Sequence, residues 1–219
     1  MIKQNILVTV DNVIFTIIEN QVQVLLIKRN IEPFKWARAI PGWFVLESED
    51  CEQAAHRELL EETNIKNIYL EQLYTFSEVK RDPRGRVISI AYMALVAREN
   101  MTIKAWSDAA EAKFFPIENL PKLAFDHKKI LGYAFQRLRR KMEYTNVAQY
   151  ILPKKFTLSE LQKVYEIVLG QKIDVRNFRK KIDKLGIVKE TGEKEIGVKY
   201  RPAKLYKFIE NTLKIVEVL

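Results

Sequence analysis

The chain has 219 residues, 47% of them hydrophobic, a single cysteine and a formal net charge of +9 at pH 7. That length bounds it to one large domain or two small ones, with enough apolar content for packed cores. The lone Cys51 excludes an internal disulfide framework and a Cys-rich zinc site and reads as a small buried apolar residue; no apolar run reaches the roughly 18 residues of a membrane span, which predicts a cytoplasmic protein with no membrane partner.

The charge is unevenly placed. Residues 1–138 hold 18 Lys and Arg against 18 Asp and Glu, whereas residues 139–219 hold 19 against 10. The whole positive excess therefore lies in the last third, which predicts a separate module with a polyanionic partner.

Along the first part, ILVTV and VIFTII read as two β-branched strand runs, and VQVLLIKR follows with a period of two. A loop with Pro33 and Pro41 leads to PGWFVLESEDCEQAAHRELLEETNI, whose Glu49–Glu62 segment is helical by composition. YLEQLYTFS and VISIAYMALVA are strands separated by the turn-rich KRDPRGR. Asp126 is placed to cap a helix from His127 to about Met142, with Ile130, Leu131, Ala134 and Leu138 as its apolar stripe. Near residue 147 the basic module begins. FTLSELQKVYEIVLG reads as a helix opened by Thr157 or Ser159 and closed by Gly170, and DVRNFRKKIDKLG as a second, capped by Asp174 and stopped by Gly186. IVKE and AKLYKF, joined by a polar TGEKEIG tip, read as a two-stranded wing. The expected domains are 1–146 and 147–219.

Glu58, Glu61 and Glu62 fall at i, i+3 and i+4, so a helix sets three carboxylates on one face. Unpaired, such like charges cost roughly 0.2–0.5 kcal/mol per pair, a sign that a divalent cation reverses. Mg²⁺, which takes carboxylate oxygens and bridges phosphates, suits that face. A solvated acidic face is the ordinary alternative, and the triplet alone does not choose.

In the basic module, Val175, Phe178, Ile182 and Leu185 form an apolar stripe that faces a core. Arg176 and Lys180, flanked by Asn177, Arg179 and Lys184, are left on the other side. A helix so divided suits a major groove, where Arg and Asn read base edges and Lys neutralises phosphate. Lys199 and Arg201 in the wing, with Lys154 and Lys155 before the first helix, add expected backbone contacts. The coincidence of excess charge with a helix-turn-helix pattern favours double-stranded DNA over a basic surface used only for solubility. The loop after FSEV carries Lys80, Arg81, Arg84 and Arg86, broken by Asp82 and Pro83. Either it is an exposed hairpin turn, or it presents cations to an anionic nucleotide.

Two resemblances give these features a frame. Glu49, Arg57, Glu58, Leu59, Glu61, Glu62 and Ile65 fall at the positions of a Nudix box, with Trp43 where the box has its first glycine and Asn64 where it has its last. The resemblance implies a Nudix-type α/β/α sandwich with a mixed sheet. It further implies Glu58 and Glu62 as principal Mg²⁺ ligands and Glu61 as a further ligand or a base, with Arg57 orienting those carboxylates, for hydrolysis of a nucleoside diphosphate linkage. The Nudix box, RDPRGRV, the LAFDH segment (Leu123 to His127), NFRKKIDKLG and RPAKLYKF together resemble the NrtR family of transcriptional regulators. That resemblance covers nearly the whole chain. It implies an α+β protein, Nudix domain followed by a small winged helix-turn-helix domain, acting as a homodimeric repressor on operators of NAD-biosynthesis genes. ADP-ribose or a related nucleotide is the implied effector, held by Arg38, Arg81, Asp82, Arg84 and Arg86; relatives with degenerate Nudix domains respond to sugars such as arabinose. Around Arg38 the sequence departs again, with Trp36 preceding the place where the family has an aromatic residue. A Mg²⁺-dependent ADP-ribose pyrophosphatase yielding AMP and ribose 5-phosphate is the alternative. His127 carries a structural expectation, with contact to the ligand or the domain interface as the alternative, and His56 no function.

Overall fold

The computed structural model describes residues 5–63, 68–100 and 112–218. Chain packing separates two compact units. One lies within Met1–Thr16, Val22–Val96 and Asn100–Phe135, the other within Ile17–Gln21, Ala97–Glu99 and Gln136–Leu219. The side chain of Glu62 and all of Asn64 and Ile65, three of the expected Nudix-box positions, lie outside the described residues.

The mixed sheet begins with β1 (Leu7–Ile18) and β2 (Gln21–Lys28). The two runs expected as separate strands are one, because Asp11 and Asn12 do not interrupt it. Both are buried with partners: Asn12 Nδ2 donates to the Ala55 carbonyl at 2.9 Å, and the Ser89 hydroxyl donates to Asp11. These bonds offset part of the cost of burying polar groups, while Asn12 Oδ1 and the hydroxyls of Thr9 and Thr16 on the same strand are buried with no hydrogen-bond partner among the described residues. Short β3 (Arg38–Ala39) and β4 (Gly42–Phe44) follow, then β5 (Tyr69–Phe76), β6 (Val87–Leu95) and β7 (Lys113–Pro116). The order is β3-β2-β1-β6-β5, with β4 on β1 and β7 on β2. β1 runs parallel to β6, and the pairings β1–β4, β2–β3, β2–β7 and β5–β6 are antiparallel.

The alternation of β1 builds the layers. Its even residues Val10 and Ile14 pack with Ala54, Ala55 and Leu59 of helix α1 (Cys51–Thr63). Its odd residues face helix α2 (His127–Tyr144): the Phe15 and Phe135 ring centroids are 6.2 Å apart, and His127 Nε2 is 3.7 Å from Asp11 Oδ1. The expected stripe of α2 is buried throughout, Ile130, Leu131, Ala134 and Leu138 being joined by Met142. Burial stabilises by roughly 1.5–3 kcal/mol for each large aliphatic side chain.

One helix start differs from expectation, and at another, which begins at His127 as expected, the capping carboxylate is engaged elsewhere. α1 begins at Cys51 rather than Glu49, because Asp50 Oδ1 accepts from Gln53 N–H at 2.8 Å while Gln53 Oε1 accepts from Asp50 N–H at 2.9 Å, a reciprocal cap. Glu49 is thereby left outside the helix. Asp126 does precede α2, but Arg81 takes its carboxylate. Cys51 is half-buried rather than buried, at the edge of the α1 packing.

In the second unit a short 3₁₀ turn (Val147–Tyr150) precedes α3 (Leu158–Leu169) and α4 (Val175–Leu185). Thr157 caps α3 in a full capping box with Glu160, and Gly170 closes it at φ 70°. Asp174 caps α4, accepting from Asn177 N–H, and Gly186 ends it at φ 59°. Tyr165, Phe178, Ile182 and Phe156 fill the core between them. The wing is β8 (Val188–Lys194) paired antiparallel with β9 (Lys204–Phe208), so TGEK, expected in the tip, belongs to the strand. Phe156 exchanges backbone hydrogen bonds with Tyr206 and adds a third segment to the hairpin. Two members of the expected α4 stripe depart: Val175 is 47% exposed and Leu185 half-buried. Both sit in end turns, beyond the reach of the core that encloses Phe178 and Ile182. The C-terminal segment returns to α2, with Val216 N–H and Val218 N–H donating to the carbonyls of Tyr144 and Glu143 at 2.9 Å each. No described helix is long and apolar enough to cross a membrane.

Candidate functional site

On α1, Arg57 is the hub. Its Nε and Nη2 hold both oxygens of Glu49 at 2.9 and 2.6 Å, its Nη1 binds Glu58 and reaches Glu61 at 3.2 Å, and Nη2 donates to the Phe44 carbonyl at 3.5 Å. The Arg57 hydrogen bond, with the Leu46 N–H behind it, pushes Glu49 down to about 2. Glu58 goes the other way: burial raises its pKa above the ordinary carboxyl value despite Arg57. Glu61 is exposed. The face therefore presents one buried and one exposed carboxylate with a guanidinium between them. Among the described residues no three acidic, histidine or cysteine groups converge on one point. The oxygen-only chemistry of Glu58 and Glu61 nonetheless fits a hard cation such as Mg²⁺.

A cleft of about 190 Å³ opens on the α2 side of β1, lined by residues including Asp11, Arg29, Trp43, Phe44, Arg81, Asp82, Arg84, Phe125 and His127. Its floor is a buried charge network. Arg81 grips Asp126 with two bonds, Nε–Oδ2 at 3.1 Å and Nη2–Oδ1 at 2.7 Å, and lies 3.6 Å from Asp11. His127 Nδ1 accepts from Ile40 N–H at 2.9 Å, which fixes the ring's proton on Nε2, facing Asp11. Burial lowers the His127 pKa, so the ring is neutral. Above it, Asp82 binds Arg84 at 2.6 and 3.0 Å, bonds that outweigh burial and hold Asp82 below its ordinary value. The Arg84 guanidinium lies 4.8 Å from the Phe44 ring centroid and 5.2 Å from that of Phe125. Arg29 also sits over Phe125, at 4.8 Å, and donates to the carbonyls of Pro33 and Ile31. Among the described residues no carboxylate forms an ion pair with Arg29, whereas Arg81 and Arg84 are each committed to one. Burial, then the Arg84 charge, lower the Arg29 pKa. Gly42 lets β4 close this wall: a Cβ there would lie 2.1 Å from the Val10 carbonyl oxygen. Its neighbour Trp43 is 43% exposed at the mouth.

Of the residues expected to hold a ligand, the structure brings Arg81, Asp82 and Arg84 together in this cleft. Arg38 and Arg86 are not in its lining. Arg38 stacks on Phe115 at 5.1 Å and its carbonyl accepts from Ala124 N–H, and Arg86 donates to the Ser77 carbonyl at 2.7 Å. The sequence does not single out Asp11, Arg29, Phe44 and Phe125, and for His127 it leaves ligand contact only as the alternative to a structural part. The FDH of LAFDH was the one local signal available.

The second unit presents a different surface. Arg176, Asn177, Arg179 and Lys180 of α4 are all exposed, and the three cations have no carboxylate partner among the described residues. Lys199 and Arg201 in the wing loop are likewise exposed. Lys154 has an exposed side chain, and its N–H donates to Glu99 at 3.1 Å; Lys155 is spent on Glu193 at 2.6 Å.

Comparison with known proteins finds a domain match in each part of the chain. The NUDIX domain model matches residues 9–134, and the model of the NrtR DNA-binding winged helix domain matches residues 148–208. The ADPR responsive transcriptional repressor NtrR of Acinetobacter baylyi is 41% identical over 210 residues, 92% of this chain and 82% of that one. The chain belongs to the NrtR family. Among solved NrtR structures, that of Shewanella oneidensis complexed with a 27mer DNA superposes with a TM-score of 0.83 at 36% identity, covering 92% of this chain and 93% of that one. The NUDIX domain of the same NrtR complexed with ADP ribose matches with a TM-score of 0.56 at 34% identity, over 62% of this chain and 90% of that one. An ADP-ribose pyrophosphatase of Methanocaldococcus jannaschii is 48% identical over 115 residues, 52% of this chain and 67% of that one. In NrtR terms, α4 is the second helix of the helix-turn-helix, and the arginine-lined cleft lies in the Nudix domain.

Proposed function

We propose that this NrtR-family protein is a cytoplasmic, homodimeric transcriptional repressor. Residues 147–219 hold operator DNA of NAD-metabolism genes, and residues 1–146 release it on binding ADP-ribose. The observation that carries this reading is the separation of charge within one chain. The cations of α4 are left without acids, while the cleft holds its arginines against acids and rings. The 41% identity to an ADPR-responsive repressor over 92% of the chain supports it, as does the ADP ribose bound by a related Nudix domain.

In the DNA-binding unit, Arg176 and Asn177 address base edges, while Lys180, Arg179, Lys154, Lys199 and Arg201 address phosphate, and Lys155 does so only by leaving Glu193. Two copies related by a twofold axis would set two α4 helices on a palindromic site. In the Nudix unit, Arg29 is the first anchor for a diphosphate, since its charge is not committed to a carboxylate, and Phe44, Phe125 and Trp43 offer ring faces. Arg81 and Arg84 bind the anion only by exchanging Asp126 and Asp82 for it. That exchange ties the ligand to α2, because Asp126 precedes the helix directly. Linkage then requires DNA to weaken ADP-ribose by the factor that ADP-ribose weakens DNA, typically about 1–3 kcal/mol.

The test is fluorescence anisotropy of a labelled NAD-gene operator fragment, titrated with protein and then with ADP-ribose. Release by ADP-ribose is expected, with affinity falling steeply as salt rises. Binding that persists at saturating ADP-ribose would reject this effector and leave a sugar-type one. Light scattering of the free protein checks the dimer.

A second reading, hydrolysis of ADP-ribose, is favoured by the intact Arg57–Glu49–Glu58–Glu61 cluster and by the pyrophosphatase relative. Glu58, Glu61 and Glu62 would hold Mg²⁺, which supplies charge neutralisation of the diphosphate and a more acidic bound water. Arg57 keeps the Glu58 and Glu61 carboxylates oriented. Water adds to phosphorus and the P–O–P bridge breaks, giving AMP and ribose 5-phosphate. AMP release with Mg²⁺ present, lost in Glu58→Gln, separates an active sensor from a purely binding one.

A further inference from the structure

The loop 196–202 joins β8 to β9 and is closed at its base by Glu195 N–H donating to the Ala203 carbonyl at 3.0 Å. At its start Ile196 is 96% exposed, more than any other large hydrophobic among the described residues. Gly197, at φ 76°, turns the chain directly after it. No other described residue covers it, so it adds nothing to the packing of the described fold.

The charges around it are sorted. Every carboxylate of the wing is engaged: Glu190 by Lys204 at 2.9 Å, Glu193 by Lys155 at 2.6 Å, and Glu195 by the Ala203 N–H at 3.0 Å and the Tyr200 hydroxyl at 3.3 Å. Lys194, Lys199 and Arg201 have no carboxylate partner among the described residues. The tip therefore carries an aliphatic prong, with the 64%-exposed Tyr200 tied through its hydroxyl to Glu195, among uncommitted cations, and it follows immediately on the cationic α4. Duplex DNA is complementary to that arrangement, with phosphate rails on both sides of the minor groove and an apolar stack between them. An anionic bilayer also attracts cations, but one isoleucine offers it very little apolar area.

We propose that Ile196 is an apolar wedge that enters the minor groove and opens a base step. This rests on the DNA-binding reading above and extends it. The wing then reads how easily DNA deforms rather than its base edges, and favours a pyrimidine–purine step under its tip.

The experiment starts with the full chain selecting duplexes from a random-sequence pool; the enriched duplex then carries 2-aminopurine at the step under the wing. Binding of the unaltered protein should raise the fluorescence as the step unstacks. Ile196→Ala should abolish the rise and bind about tenfold more weakly, with its salt dependence and thermal melt unchanged, while Ile196→Leu keeps both signals. An Ile196→Ala protein with unaltered affinity and fluorescence overturns the wedge; if Arg176→Ala still loses affinity, the α4 reading stands without it. A pool that enriches nothing overturns both. Phosphatidylserine vesicles that bind only when Ile196 is present, with duplex binding unaffected, overturn it in favour of a lipid surface.

Discussion

Acidification should weaken this protein through one buried ring. His127 is fully enclosed, and its Nδ1 accepts from Ile40 N–H at 2.9 Å, so a second proton would set two donors against each other. Burial lowers its pKa, Asp11 and Asp126 push the other way, and the charges of Arg81 and Arg29 lower it again; the net direction is down. In the unfolded chain the same imidazole takes its proton near pH 6.5. Below that pH the unfolded state binds more protons than the folded one, so stability falls with pH until the depressed folded value is reached. Between pH 7.5 and 5.5 the loss from this residue is up to about 1.4 kcal/mol. Urea unfolding of the protein and of His127→Gln at both pH values isolates it, because every other group titrates in both. The difference in stability should grow on acidification at the expense of the natural chain. Parallel pH profiles would refute a neutral His127.

Other perturbations test the remaining contacts. Asp126→Ala leaves the 3%-exposed Arg81 side chain with only Asp11 at 3.6 Å, and a broken buried pair should cost about 3–5 kcal/mol in chemical denaturation. Gly42→Ala drives a methyl to 2.1 Å from the Val10 carbonyl; β4 must move off β1, with an expected loss of about 1–3 kcal/mol by thermal melt and weaker ligand binding in calorimetry. Thr157→Ala removes the α3 capping box and should cost about 1 kcal/mol, lowering the melting temperature without altering DNA affinity at a permissive temperature.

The parts most legible in the sequence were those whose signals are local. Thr157, Gly170, Asp174 and Gly186 are caps and stops that act within a few residues, and the structure uses each as its residue type implies. The acidic face of α1 was equally plain, since helical spacing alone sets Glu58 and Glu61 on one side; the part of Arg57 followed only from the Nudix resemblance. The cleft was only half legible. Arg81, Asp82 and Arg84 showed as a cluster, but Asp11, Arg29, Phe44 and Phe125 arrive from four separate segments, brought together by the crossing of β1, β2, β4 and the turn before α2. Local signals also misled where tertiary contacts compete for the same atoms. Asp126 looked like a cap because it precedes a helix, but its carboxylate lies within reach of a buried arginine 45 residues earlier. ILVTV and VIFTII read as two runs because the burial partners of Asp11 and Asn12 between them, Ser89 and Ala55, are distant in sequence.

Helix α2 is counted in both packing units, its residues to Phe135 in one and those from Gln136 in the other. A chimera that grafts a foreign sensor onto this DNA reader therefore keeps each half of the helix with the core it was shaped for only when the junction falls near Phe135 and Gln136. A splice before His127 would strand Ile130, Leu131 and Ala134 against an unrelated socket, and one after Tyr144 would take Leu138 and Met142 away from the reader they belong to.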